Sequence, residues 1–262
     1  MTYQPINYQS IIKKFKTLNL IYGLLHFVSV IILLILKYTE NNGFMLPIMV
    51  NIGKYPKADC QNDCFISYIS KQIFEVDLIQ ILAVFQFISC LAHIYAYFFY
   101  DTNMLNNEDN YIRWIEYSIS SALMIVVIAG VLGINNLYSL IMLGTLMWAI
   151  NVLALVQSWM PKDQYSIGVY LPSFIAWFLY FIIWLVLFMS FHNTLQENPQ
   201  TPNFVIAIII IMFLLFSSFG LVHLSYLTSH ISFIQSEKLY INLSLFSKLI
   251  LVWILFFSSA SA

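Results

Sequence analysis

Four side chains in this sequence could do chemistry that an apolar setting makes costly: Lys248, Glu116, His26 and His93. Lys248 stands in an otherwise uncharged apolar run, 239–258. An ammonium at the centre of a bilayer costs roughly 2.5–3.5 kcal/mol on insertion scales, so an ionisable group there points to function. It needs an anion, a water path or a chemical reason to bury its charge. A lysine amine can condense with an aldehyde to give an imine, and a protonated imine is a buried cation that needs a carboxylate nearby. Glu116, the other firmly charged residue well inside an apolar run, supplies one. Histidine exchanges protons near neutral pH, so His26 and His93 are candidates to accept a proton displaced from that pair. Ser120 lies four residues after Glu116 and Ser244 four before Lys248, spacings that share a helix face.

Membrane-spanning helices must position these groups. The 262-residue chain is 61% hydrophobic and 9% charged, a composition outside that of ordinary globular domains. A helix crosses the hydrocarbon core with about 20 apolar residues. Seven stretches qualify: 17–38, 76–100, 111–133, 136–157, 170–192, 203–227 and 239–258. They are too long for barrel strands, and lipid tolerates only helices or closed barrels. The fold class is therefore an all-α membrane protein, a seven-transmembrane-helix bundle read as one domain over 1–262 and embedded in a lipid bilayer. The first run is too long for a secretory signal core, and no small-residue cleavage site follows it. A net charge of −1 gives no reason to expect nucleic acid as a partner.

Basic residues orient the bundle. Lys13, Lys14, Lys16, Arg113, Lys162 and Lys238 fall on one side, and Lys37, Lys54, Lys57 and Lys71 on the other. The positive-inside rule predicts a cytoplasmic N-terminus and an extracellular C-terminus. The long first loop, 39–75, is then external, and its β-favouring residues predict a small hairpin. It carries Cys60 and Cys64, which an oxidising compartment could join as a disulfide or which could stay reduced. Cys90 reads as a small packing residue.

At about 1.5 Å per residue, Lys248 lies roughly 15 Å from Lys238, near the midplane, while Glu116, His26 and His93 share a layer nearer the cytoplasm. Blander roles stay open for each. Glu116 could be a structural partner of Lys248 or of Arg113, which stands three residues before it and could help hold it ionised. The histidines could be satisfied core residues. His223 is expected at the interface, and the loop acids Glu197 and Glu237 are expected in solvent, or else to help protons enter or leave. Gly220, beside Ser217 and Ser218, offers a close-packing or bending point. Trp177, Tyr180 and Trp184 share one face of span 5.

A lysine in span 7 with a carboxylate in span 3 resembles the microbial rhodopsins. More narrowly, Arg113-Trp114-Ile115-Glu116-Tyr117-Ser118-Ile119-Ser120 resembles span 3 of the heliorhodopsins. His26, His93, Ser244, the inverted orientation and the long first outer loop agree with that group. The resemblance implies all-trans-retinal as cofactor, Lys248 as the retinal Schiff-base lysine and Glu116 as its sole counterion. It also implies Phe216, Phe219, Trp177, Tyr180 and Trp184 as pocket residues, and a homodimer. Val127 stands about three turns beyond Glu116, where outward proton pumps carry a second acid. Together with Ser244 it favours a non-enzymatic photoreceptor or light sensor over an ion pump, with an unidentified cytoplasmic signalling partner. A light-activated proton channel or transporter, as in some viral members, is the alternative. A seven-helix transporter or receptor without retinal is the third reading, although the span 7 Asn-Pro-x-x-Tyr and span 3 Asp/Glu-Arg-Tyr signatures of G-protein-coupled receptors are absent.

Overall fold

Apolar runs bounded by short polar caps form the helices. The computed structural model of the protein describes residues 8–40, 44–55, 67–160 and 167–259. Cys60 and Cys64 lie outside them, as do Lys57 and Lys162. The elements are α1 (Tyr8–Glu40), β1 (Met45–Lys54), β2 (Ser67–Asp77), α2 (Leu78–Phe99), α3 (Thr102–Asn107), α4 (Tyr111–Val131), α5 (Leu137–Ser158), α6 (Ile167–Glu197), α7 (Asn203–Leu227) and α8 (Phe233–Ser259). All the helices except α3 are long and apolar enough to cross a membrane, seven among the described residues. They are spans 1 to 7 of the sequence reading, several of them longer than the apolar run alone. Helix α6 starts at Ile167, so Pro172 falls in its second turn rather than its first.

Side-chain caps set the helix starts. Asp77 accepts from Ile79 N at 2.9 Å, and Asn136 accepts from Tyr138 N at 3.1 Å. These contacts satisfy amides that the first turn leaves free. Just beyond α4, Gly133 has a φ of +83°, which suits glycine and lets Ile134 N bond back to Ala129 O at 2.9 Å.

The first loop forms a two-stranded antiparallel hairpin, with a register shift between Ile48 and Met49. Leu46 and Ile48 are buried and dock it onto one end of the bundle. At Gly130 an added Cβ would stand 2.7 Å from Leu46 Cδ2, so the glycine makes room for the hairpin. Lys37 pairs with Asp77 across the same end.

Neighbouring helices pack in the order α1, α2, α4, α5, α6, α7, α8, and α8 closes against α1. Of the most apolar stretch of α4, 61% is buried, against 22% for α6 and for α7. Helix α4 is therefore the most enclosed, with α8 and α2 close behind, and α6 and α7 the least. The main core joins Leu82 and Phe85 of α2, Met124, Ile125 and Ile128 of α4, Trp184 of α6, Ile209 of α7 and Leu251 of α8. A site carried by α4 and α8 thus sits on two of the more enclosed helices.

Candidate functional site

Glu116 lies five residues into α4 and faces inward, with 6% of its surface exposed; Lys248 on α8 has 2%. The Lys248 Nζ donates to Glu116 Oε1 at 2.8 Å and to Ser244 Oγ at 2.7 Å. Ser244 reaches the amine because it stands one turn before it. Ser89 of α2 donates to the same Glu116 oxygen at 2.6 Å. The carboxylate therefore faces an ammonium and a hydroxyl, which offset its removal from water. Ser120 is buried on the same side of α4, without a hydrogen bond of ordinary geometry. The Tyr117 ring lies 5.1 Å from the ammonium, close enough for a cation–π contact.

Beside this pair, α1 and α2 bring the two histidines together. His26 and His93 stack with ring centroids 5.4 Å apart. His26 Nδ1 meets Gln86 Oε1, and His93 Nδ1 meets Asn19 Oδ1 at 2.7 Å. Ser89, Gln86 and Asn19 were not singled out in the sequence, although helical spacing marks them. Gln86 and Ser89 lie seven and four residues before His93, and Asn19 lies seven before His26, each on its histidine's face.

From Lys248 a mostly apolar cavity extends between α4, α5, α6 and α7. Trp177, Tyr180, Phe216 and Phe219 line it. Trp184 stands behind this wall, its ring 5.2 Å from Phe213 and 6.2 Å from Phe216. Trp114, Tyr117, Met147 and Asn151 are also among its lining residues. Gly220 is a close-packing point, since a Cβ there would stand 2.6 Å from the Trp177 ring.

Three expectations about the remaining polar residues do not hold. Arg113 pairs with Glu237 of α8, not with Glu116. Glu237 is no solvated loop acid: it is fully buried and accepts from Asn110 Nδ2 at 2.8 Å. His223 is not interfacial. It turns into the bundle, with Nε2 at 2.9 Å from Gln157 Oε1 and its ring 5.3 Å from Trp114. It lines both the first cavity and a second one toward the end opposite the hairpin. Glu197 remains exposed.

A family model for heliorhodopsins matches residues 15–260, nearly the whole chain. The chain belongs to the heliorhodopsin family. It is a light-sensing membrane protein of the microbial rhodopsin type, an integral multi-pass protein of the lipid bilayer. No curated protein matches it. The heliorhodopsin family implies a retinal chromophore, and two features of the bundle fit one. A buried amine opens onto a mostly apolar, aromatic-walled cavity, and Gly220 leaves the space in which the Trp177 ring lies along that wall.

Proposed function

We propose that this heliorhodopsin is a retinal-binding light sensor in which Lys248 carries the chromophore and Glu116 is the sole counterion. The observation that carries the reading is the 2.8 Å contact between these side chains at the mouth of an aromatic cavity. All-trans-retinal bound to Lys248 would supply a light-absorbing polyene, joined to the lysine nitrogen through a linkage that carries a proton.

The chain's own residues do the rest. Glu116 holds the positive charge on the Lys248 nitrogen, and Ser89 keeps the carboxylate oriented. Ser244 gives that nitrogen a neutral neighbour in place of a second acid. His26 and His93 lie where a displaced proton can be held until it returns. Two positive rings stacked at 5.4 Å would repel, so the pair suits one proton at a time. Trp177, Tyr180, Phe216 and Phe219 confine the chromophore and exclude water. With one carboxylate at the site and Val127 three turns beyond it, the chain favours sensing over pumping. The N-terminus is cytoplasmic in this reading, the protein is a homodimer, and a cytoplasmic partner reads the light state.

Colour tests the proposal. Purified with all-trans-retinal, the protein should absorb visible light, and Lys248→Ala should be colourless while still folded. A colourless wild type would overturn the retinal reading.

A further inference from the structure

The two stacked histidines are held differently. His93 Nδ1 faces Asn19 Oδ1 at 2.7 Å. The far side of that amide sets its orientation, because Asn19 Nδ2 donates to Phe15 O at 2.9 Å and a carbonyl can only accept. Asn19 therefore presents an acceptor to the ring, and an acceptor at Nδ1 requires the proton there. The neutral His93 ring is left with Nε2 as its basic atom. His26 is under no such constraint. Its Nδ1 meets Gln86 Oε1, but Gln86 Nε2 is buried with no partner among the described residues. A half-turn of that amide exchanges acceptor for donor. Gly23 lets α1 come close enough for both contacts: an added Cβ would stand 3.3 Å from His93 Cβ.

We propose that Asn19 is a positioning residue for proton transfer from the Lys248–Glu116 pair. It locks His93 in the tautomer protonated at Nδ1, so that Nε2 is the atom that receives the proton. This rests on the retinal-protein reading above. The arriving proton turns the neutral ring into an imidazolium protonated at both nitrogens, and its return to the Lys248 nitrogen restores the neutral ring. No other reactant is needed. The Nδ1–H to Oδ1 bond becomes charge-assisted and stronger while the proton is held. His26, free to carry its proton on either nitrogen, suits passing a proton on; His93 suits keeping it.

Isotope-edited vibrational spectroscopy of the retinal-loaded protein, with labelled imidazole nitrogens, tests this without any Asn19 variant. The histidine signal lost in His93→Phe should carry the Nδ1–H signature in the dark, and an Nε2–H signature would overturn the proposal. In flash photolysis, Asn19→Leu should change the lifetime of the state with a deprotonated Lys248 nitrogen by about tenfold, equivalent to about 1.4 kcal/mol. Asn19→Asp, which keeps an acceptor at Nδ1, should retain the Nδ1–H signature. If replacing both histidines leaves the kinetics unaltered, the relay reading itself fails. If the double replacement alters them and Asn19→Leu does not, only the role of Asn19 fails.

Discussion

Helices α4 and α8 are joined twice by opposite charges: Arg113 with Glu237 toward the end away from the hairpin, and Glu116 with Lys248 deeper in the bundle. Both pairs are buried, and a buried pair contributes little net stability because desolvation offsets its attraction. The surroundings separate them. The Arg113 guanidinium lies 4.5 Å from the Trp114 ring and 4.2 Å from the Tyr240 ring, while Asn110 holds Glu237. Such a planar, permanently charged group serves as a clamp. Lys248 carries a compact amine that can be deprotonated and can bond covalently to a carbonyl carbon. It also opens onto a cavity and has two histidines nearby. In the proposed reading, the same electrostatic device serves as a fastening in one place and as the chromophore attachment site in the other.

The largest expected contrast lies between the two cations. Lys248→Ala should abolish visible absorption, whereas Arg113→Gln should keep it; a coloured Lys248→Ala would dissolve the distinction. Next come the two acids. Glu116→Gln should shift the absorption maximum to the red, because losing the anion removes ground-state stabilisation of the polyene cation, and acidification that protonates Glu116 should mimic it. An unchanged spectrum would assign the counterion to another group. Glu237→Gln should leave the colour in place but lower the unfolding free energy by about 3–5 kcal/mol, the cost of a buried charge left unpaired. Thermal denaturation checks this, and a shifted spectrum would make the outer pair part of the chromophore site. Replacing both His26 and His93 should alter only the lifetime of the light-driven deprotonation, which flash photolysis measures. Smallest of all is the transport signal. In voltage-clamped cells, light should drive no sustained current at zero driving force, and a robust current would favour the proton-conducting alternative.

Much of this centre could be read from residue order. Charges are so rare in the apolar runs that Lys248 and Glu116 almost select each other, and helical rise placed them at compatible depths. Ser244 followed from its one-turn spacing to the lysine. Ser89, Gln86 and Asn19 had the right spacing but are ordinary polar residues, and spacing alone does not separate a hydrogen-bond partner from a core serine or amide. Arg113 shows the opposite failure. Proximity in sequence suggested Glu116, yet the longer reach to α8 gave it Glu237, a residue that looked like a solvated loop acid.

Hydrophobic length and periodicity dictate seven helices, the depth of each charge and the face of its own helix on which it lies, because rise and turn per residue are nearly constant. They say nothing of which neighbour that face meets. The hairpin's seat at Gly130, the wall of Trp177 against Gly220, the stacking of His26 on His93 and the partners of Arg113 and His223 all depend on how the helices are rotated and crossed. That arrangement is set by packing among many side chains at once.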